Sequence, residues 1–307
     1  MKQIFIFSLL SVLLNPSCKS KIVEDSTPIT GKIEIFCDEA LQNIIQQQEE
    51  IFERNYPKAD VQIHYMNEAD IIRKFLYDSV ETIIISKSLD SSAIKYLDQE
   101  KQLHPRIFPF AISAVAFVCS PLSPDSLLQY ESILQATTGN GNLSNRKFVI
   151  ENKSSGIAKF LLESSQADQL SSNFYAMNSL DTVLDFVSKN KDCIGIIDWS
   201  RVSDSDDPIA QDYLRKIKII KISSAGALDK VEYFPPFQYN LQDKIYPFTR
   251  TLNIISRTGK SDLGLGFATF ITGEIGQKII LKAGLLPIYQ SERVIELKSS
   301  GDIKVVQ

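Results

Sequence analysis

The chain has 307 residues, of which 44% are hydrophobic and 23% are charged, a balance typical of a folded globular protein rather than a disordered one. Its formal net charge is −4 and no basic cluster exceeds a few residues, which argues against a nucleic acid as the partner. This length allows one large domain or two mid-sized domains with an ample core.

The N-terminus is typical of an export signal. A basic start precedes an apolar run at positions 4–14, which is too short to span a membrane. Cys18 follows a small residue and resembles the lipidated cysteine of a bacterial lipoprotein; plain secretion with an incidental Cys18 is the alternative. We therefore expect a signal peptide over residues 1–17, a lipid-anchor tether over residues 18–30, and a membrane-anchored lipoprotein of the periplasm or cell envelope.

The other cysteines and the histidines do not form a metal motif. Cys37, Cys119 and Cys193 are odd in number and lie in apolar, strand-like runs, so we expect buried small hydrophobic side chains rather than disulfides. His64 and His104 are far apart and lack a metal-binding context. The sequence therefore predicts no metal site and no cofactor.

Strands and helices alternate over the first hundred residues. The periodicity predicts strands over 32–37, 61–65 and 82–85, and helices over 40–55, 68–79 and 92–101. This βαβαβα order predicts a parallel sheet with helices on both faces. Asp38 is the expected N-cap of the first helix, and a polar loop from Ser86 to Ser91 follows the third strand. Both loops are expected at the carboxyl edge of the sheet, where ligands bind.

Two long segments are predicted to cross between sheets. Residues 106–120 are apolar enough for a strand that leaves one sheet and enters another, and residues 241–255 are expected to cross back as a second strand. The remaining predicted elements are helices over 130–134, 180–189, 263–272 and 274–283, and strands over 193–197 and 217–222. This order predicts a bilobed clamp with its ligand in the cleft, lobe 1 being residues 31–110 with 248–307 and lobe 2 residues 111–247.

The stretch 148–165 is the strongest candidate for a binding site. An apolar strand over 148–150, a polar turn and a glycine precede an amphipathic helix, which brings unpaired backbone N–H groups and the positive end of a helix dipole to one point. Ser154 or Ser155 can cap this helix and offer a hydroxyl, and Gly156 lets an oxyanion approach the backbone. An ordinary capped helix after an ordinary strand is the alternative.

Several segments together resemble a known family. They are YPFTR at 246–250, GFATFITGEIGQKIILKAGLLPI at 266–288, the Ser155-Gly156 loop and the strand 194–197. In order and spacing they resemble the phosphate-type substrate-binding proteins of ABC transporters. The resemblance implies an α/β fold of the type II periplasmic-binding-protein kind: a two-lobed clamp in which each lobe is a mixed or parallel sheet flanked by helices, joined by two hinge strands. It also implies a lipid-tethered, monomeric envelope receptor, not an enzyme, that delivers phosphate or a similar oxyanion to an ABC permease.

The resemblance also implies which residues hold the anion. Carried over by position, its three loops correspond to Asp38-Glu39-Ala40, to Ser86-Lys87-Ser88 and to Ser155-Gly156. Ile157 replaces a threonine of the family's third loop, Glu151 an arginine, and Lys153 an aspartate. Lys153 and Lys87 are the candidates for the missing positive charge, and the alternative is that both are solvated surface lysines. These differences leave open whether the ligand is phosphate or a related oxyanion.

Two other functions fit parts of the sequence. A non-transport envelope protein, either a sensor or an assembly partner with a diverged cleft, is favoured by the changes at Glu151 and Ile157. A hydrolase with Ser155 as nucleophile is disfavoured because the GxSxG pattern is missing, and we expect no catalytic residues. Aspartates at positions 198, 204, 206 and 207 form an acidic patch that we expect to be a solvated loop; a cation site is the alternative.

Overall fold

The computed structural model describes residues 26–78, 80–226 and 231–289. The predicted signal peptide, Cys18 and residues 19–25 of the predicted tether lie outside the described residues. The strands are β1 Gly31–Asp38, β2 Ala59–Met66, β3 Thr82–Ile85, β4 Arg106–Cys119, β5 Leu127–Leu128, β6 Lys147–Ile150, β7 Phe174–Ala176, β8 Cys193–Asp198, β9 Lys218–Ile219, β10 Lys221–Ser223, β11 Tyr233–Phe234, β12 Thr249–Ser256 and β13 Leu286–Pro287.

The α-helices alternate with these strands through most of the chain. They are α1 Gln42–Asn55, α2 Glu68–Tyr77, α3 Ser91–Lys101, α4 Tyr130–Thr137, α5 Gly156–Ser165, α6 Leu180–Lys189, α7 Pro208–Lys216, α8 Gln238–Gln242, α9 Leu263–Thr272 and α10 Glu274–Lys282. Two short 3-10 turns, Glu39–Leu41 and Trp199–Arg201, follow β1 and β8. The predicted alternation of strands and helices over the first hundred residues is confirmed.

One curled, mixed sheet forms the centre of the molecule. Its strands run in the order β2-β1-β3-β12-β4-β8-β6-β7, with β9 and β13 also paired to β4. The pairs β1–β2 and β1–β3 on one side, and β6–β8 and β6–β7 on the other, are parallel, whereas β12 and β4 are antiparallel to their neighbours. Two parallel groups are therefore joined through an antiparallel centre, which confirms the predicted two-lobed α/β fold.

The strand β4 belongs to both halves of the sheet. Its residues 106–114 pair with β12, and its residues 115–119 pair with β8. The side chains from Ala114 to Cys119 are fully buried, as an apolar run between two helical layers should be. The predicted crossing of this strand from one half to the other is confirmed. The exact lobe boundaries stay a prediction.

The second predicted crossing strand, over 241–255, is wrong in its first half. Residues 241–242 belong to helix α8, and the strand β12 begins only at Thr249. Lys244 has φ of 57°, which ends the helix in a left-handed turn, and Pro247 lacks the N–H that a strand ladder needs. Tyr246 is buried instead, and its hydroxyl donates to the Val115 carbonyl at 2.7 Å.

The predicted strand over 217–222 is interrupted. It forms two short strands with different partners: β9 pairs with β4, whereas β10 pairs with β5 and β11 in a small separate sheet. The break lies at Ile220, which is fully buried and donates its N–H to the Phe117 carbonyl. A single apolar run thus contributes strands to two sheets. Hydrophobic periodicity alone cannot show where such a run changes from one sheet to the other.

The end of the predicted tether is part of the fold. Residues 27–30 form a turn closed by the Thr27–Thr30 backbone pair, and the Ser26 hydroxyl accepts the N–H of Leu263 at 3.1 Å. Pro28 packs so closely on α9 that a Cβ at Gly266 would lie 1.7 Å from its carbonyl oxygen. The tether, as predicted over 18–30, is therefore too long by these residues.

The prediction that the three internal cysteines are buried and form no disulfides is confirmed. Cys37, Cys119 and Cys193 are free thiols buried in β1, β4 and β8. Within the described ranges, no helix has both the length and the apolar character needed to cross a bilayer.

Glu49 on α1 gives a stability prediction with a defined pH window. Burial, together with the nearby Glu53 and Glu50, raises the pKa of the Glu49 carboxyl to about 7. Because its pKa is lower in the unfolded chain, ionising Glu49 costs the folded state stability as the pH rises towards about 7. We expect Glu49→Gln to raise the melting temperature at about pH 8 and to leave it unchanged near pH 4, below the unfolded pKa.

The control for this prediction is Glu100→Gln on the exposed side of α3. Differential scanning fluorimetry across the pH range measures both variants. An equal shift of Glu49→Gln at every pH, or a pH-dependent shift in the control of the same size, would contradict the assignment.

Candidate functional site

The loops after β1 and β3 meet at the carboxyl edge of the sheet. The Asp38 carboxylate, which is 4% exposed, accepts the N–H of Ala40 at 3.1 Å and the hydroxyl of Ser86 at 3.0 Å. It therefore caps the 3-10 turn that starts at Glu39, as expected of an aspartate directly after a strand. The predicted neighbourhood of these two loops follows from the parallel pairing of β1 with β3.

The loop before α5 has the predicted strand–turn–helix geometry. Ser155 is the N-cap: its hydroxyl oxygen accepts a hydrogen bond from the N–H of Ala158 at 3.3 Å. The same hydroxyl donates a hydrogen bond to the Asn152 carbonyl at 2.6 Å. The hydroxyl is thus used within its own loop. The first helical N–H groups, those of Gly156 and Ile157, have no acceptor within the helix and are the donors that this loop can offer to a ligand.

A small cavity lies between these loops. Its volume is about 20 Å³, enough for roughly one water molecule. The residues that line it come from both halves of the chain and are Asp38, Glu39, Ala40, Glu151, Ser155, Gly156, Ile157, Asp198 and Arg250. The structure thus brings together the first and third predicted loops around a nearly filled cleft.

The side chain of Glu68, the first residue of α2, lies beside this cavity, next to Gly156. It is only 2% exposed, and its Oε2 accepts the N–H of Ser86 at 3.3 Å. Its Oε1 lies 3.7 Å from the ammonium of Lys87. A Cβ built on Gly156 would lie 2.8 Å from Oε2 of Glu68 and 3.0 Å from Nη1 of Arg250. The carboxylate of one lobe therefore touches the helix start of the other.

Arg250 on β12 is the buried cation of the site. Its guanidinium forms an ion pair with Asp198 at the end of β8, and both side chains are almost completely buried. Asp198 also accepts the hydroxyl of Ser113 at 3.0 Å and the N–H of Ser200 at 2.9 Å. The prediction of a solvated acidic loop is wrong for Asp198, because this residue still belongs to the buried strand β8.

Desolvation shifts the ionisation of these groups. Burial raises the pKa of Glu68, and the nearby Asp38 adds to this, while Arg250 and Lys87 oppose it. Burial also raises the pKa of Glu39, which lies near the carboxylates of Glu151 and Asp38. Burial lowers the pKa of Arg250, an effect that Asp38 and Glu68 oppose. The carboxylates outnumber the cations, so the cleft is acidic.

Contacts across the cleft hold the two lobes together. The Lys87 ammonium lies 3.8 Å from Glu163, and the Lys159 ammonium lies 3.8 Å from Asp90. On the other side of the cavity, the Ser200 hydroxyl lies 3.0 Å from the Ala40 carbonyl. The clamp is therefore closed in this structure.

Five of the predicted residues do not line the cavity: Ser86 and Lys87 lie behind its wall and contact Glu68, and the other three lie at the surface. Ser88, Lys153 and Ser154 are exposed. Lys87 is half-buried and points to Glu68, so the cationic groups at the cleft are Lys87 and Arg250 rather than Lys153. Glu151 does line the cavity, where its Oε1 accepts the N–H of Leu180 at the start of α6 at 3.1 Å.

Sequence reasoning missed Glu68, Asp198 and Arg250 as parts of the site. One signal was available: Glu68 and Asp198 each stand where a strand gives way to a helical segment, in the same topological position as Asp38. The loop after β2 thus belongs to the ligand edge as much as those after β1 and β3. Arg250 lies within a strand and lacks this signal, although it is the last residue of the YPFTR segment on which the family resemblance rests.

Neither of the two histidines lines the cavity between the loops. His64 lies beside Glu34 on the sheet surface, and His104 pairs with Asp98 beside α3. Among the residues that the structure describes, no three His, Cys, Asp or Glu side chains are grouped so that they could hold a metal ion. The arrangement is suited to holding a small polar ligand between two lobes.

Comparisons with known proteins agree with this geometry. Residues 23–274 match a family model described as the PBP superfamily domain. A search of curated protein sequences found no match.

Solved structures of this fold include binding proteins and a regulator. A putative phosphate ABC transporter substrate-binding protein with bound phosphate from Clostridium perfringens is 17% identical, with a TM-score of 0.67 over 84% of this chain and 100% of that chain. An ABC-type phosphate transport receptor from Vibrio cholerae is 17% identical, with a TM-score of 0.64 over the same shares. The regulatory domain of MetR, a LysR family regulator from N. meningitidis, is 12% identical, with a TM-score of 0.53 over 84% and 99%. At these identities the likeness is one of fold.

Proposed function

Because this chain belongs to the PBP superfamily, we propose that it is a lipid-anchored solute-binding protein of the cell envelope that captures phosphate or a related oxyanion for an ABC transporter. The cleft between its two lobes is the binding site. Two proteins of the same fold are described as phosphate transport proteins, one of them with bound phosphate.

The observation that carries this proposal is the way in which the cleft holds Glu68. A carboxylate is itself an oxyanion, and this one lies among an N–H group, an ammonium, a guanidinium and a helix N-terminus. These are the donors that a phosphate or carboxylate ligand requires. They come from both lobes, so a bound anion would hold the clamp closed.

The acidic lining favours an oxyanion that keeps a proton. The carboxylates of Asp38, Glu39 and Glu151 can only accept hydrogen bonds when ionised. A protonated oxyanion such as phosphate at neutral pH can donate to one of them, whereas fully ionised sulfate is repelled. We therefore expect phosphate and arsenate to bind better than sulfate.

The envelope location and the partner are part of the proposal. The basic start, the short apolar run and Cys18 support export and lipidation. The role of the permease comes from the family resemblance, as does the monomeric state. The predicted anion ligands Asp38, Glu39, Ala40, Ser86 and Lys87, together with Ser155 and Gly156, keep their proposed role in the site.

Calorimetric titration of the purified protein, after unfolding and refolding to remove carried-over ligand, tests the proposal. The panel consists of phosphate, arsenate, sulfate, molybdate and small carboxylates. We expect saturable 1:1 binding of phosphate with weaker binding of sulfate. Preference for another anion would keep the clamp and change its ligand.

Gly156→Val should abolish this binding. The new side chain would enter the space between Glu68 and Arg250, where even a Cβ comes within 3.0 Å of both side chains, and would exclude an anion from the helix N-terminus. We expect phosphate affinity to fall at least about 100-fold, or roughly 2.7 kcal/mol. Gly259→Val is the control, because no other atom lies within 4 Å of its Cβ position. Normal binding by the Gly156 variant would place the ligand elsewhere.

A second candidate function is a non-transport envelope protein, either a sensor or an assembly partner. The nearly filled, acidic cleft favours it, because a closed clamp with little free volume has less need of a ligand. The same fold also occurs in the regulatory domain of a LysR family regulator, and fold alone does not decide function. The absence of measurable binding to every anion of the calorimetric panel would favour this candidate.

A further inference from the structure

The position of Glu68 is unusual for an acidic residue in the first turn of a helix. Such residues ordinarily face solvent and interact with the helix dipole from outside. The other acid of this turn, Asp70, does so: it accepts hydrogen bonds from Asn67 and Arg73 at the surface. Glu68 turns inward from the same turn and becomes almost inaccessible to water.

Its carboxylate is held from both sides of the cleft. Ser86 and Lys87 contact it from its own lobe, at 3.3 Å and 3.7 Å. Gly156 lies against it from the other lobe, so closely that there is no room for a side chain at position 156, and the Arg250 guanidinium of its own lobe lies nearby. These four groups are the donors around which the proposed ligand site is built.

We propose that Glu68 is a built-in occupant of the oxyanion position, which closes the clamp without a ligand and which an incoming anion must displace. This inference rests on the proposed function, because it concerns the same donors. It names Glu68 as the residue that sets the affinity and the specificity of the cleft.

Electrostatics requires the displacement. Two anions that share one buried set of donors repel each other strongly, and the Asp38 carboxylate already adds a third negative charge nearby. The raised pKa of Glu68 agrees with this, since burial and the nearby Asp38 already make the ionised carboxylate costly before a second anion arrives. A ligand therefore competes with a side chain rather than with water alone.

The test compares Glu68→Ala, Glu68→Gln and the wild-type protein by two measurements. The first is calorimetric titration with inorganic phosphate, and the second is the radius of gyration by small-angle X-ray scattering with and without phosphate. Glu68→Gln keeps the shape of the side chain and provides a folded variant if the alanine variant is unstable. Asp70→Asn is the control, because it removes the surface carboxylate of the same helical turn, which contacts Asn67 and Arg73 rather than the other lobe.

We expect both Glu68 variants to bind phosphate at least about tenfold more tightly than the wild type, which corresponds to about 1.4 kcal/mol. We also expect ligand-free Glu68→Ala to be more extended than the wild type and to contract on adding phosphate. The Asp70 control should match the wild type in both measurements.

The possible failures are distinct. If the wild type binds phosphate and the Glu68 variants bind it equally or more weakly, the occupant role is wrong and the proposed function stands. If no variant binds phosphate but ligand-free Glu68→Ala still expands, the occupant role stands and the oxyanion function is wrong. If nothing binds and the scattering is unchanged, both are wrong.

Discussion

Replacing Arg250 with methionine is expected to lower the free energy of unfolding by about 3–5 kcal/mol, the usual cost of removing one partner of a buried ion pair. The guanidinium is the buried cation among three buried carboxylates, those of Asp38, Glu68 and Asp198. Methionine fills a similar space but leaves Asp198 without its ion-pair partner. Chemical denaturation followed by circular dichroism measures the loss.

The matched control is Arg215→Met on α7. Arg215 also pairs with an aspartate, Asp212, but both side chains are more than 60% exposed, so we expect a change below about 1 kcal/mol. A second test is Arg250→Met combined with Asp198→Leu, which removes both charges and should recover part of the loss. If the Arg250 and Arg215 variants lost the same free energy of unfolding, burial would not determine how much the Arg250–Asp198 ion pair contributes to stability.

Gly284→Val should lower the free energy of unfolding by about 2–5 kcal/mol, through two separate effects. Gly284 has φ of 75°, a left-handed conformation that a β-branched residue adopts only with strain. Its Cβ would also lie 2.3 Å from the Ser203 carbonyl oxygen, which is backbone and cannot turn aside. The hydroxyl of Ser203 in turn donates to the Ala283 carbonyl at 2.6 Å, so this turn is fastened to the loop before α7.

Gly226→Val separates the two effects. Gly226 has a similar φ of 69°, but nothing lies within 4 Å of its Cβ position. The free energy of unfolding of the Gly226 variant should therefore fall only by the cost of the left-handed backbone conformation, about 1–2 kcal/mol. If both variants lost the same stability by urea denaturation, the close approach of Ser203 would contribute nothing.

The parts of this fold with strong local signals were predictable from the sequence. The stretch 148–165 was predicted to contain an apolar strand, a capping serine and an amphipathic helix. The structure has all three, with Ser155 as the N-cap. Asp38 is an N-cap, but of the 3-10 turn Glu39–Leu41 and not of the predicted helix over 40–55, which begins as α1 at Gln42 without a side-chain cap. These features depend on a few neighbouring residues.

The site residues that the sequence did not predict depend on contacts between residues far apart in the chain. Asp198 and Asp204 look alike in sequence, yet only Asp198 is buried, because Arg250 from a strand about fifty positions later reaches it. Glu68 reads as an ordinary first-turn acid, and only the arrival of Gly156 from the other lobe encloses it. Lys153 stands next to cleft residues in sequence but is exposed and does not line the cavity. Residues that meet across a cleft leave no local pattern.

The strand β4 has a consequence for how the molecule unfolds. Because one continuous strand supplies hydrogen bonds to β12 on one side and to β8 on the other, neither half keeps a complete sheet when the other half melts. A chain with two lobes often shows two thermal transitions, but here the shared strand links their cooperativity. Heat should therefore melt both halves in one calorimetric peak, whose calorimetric and van't Hoff enthalpies agree.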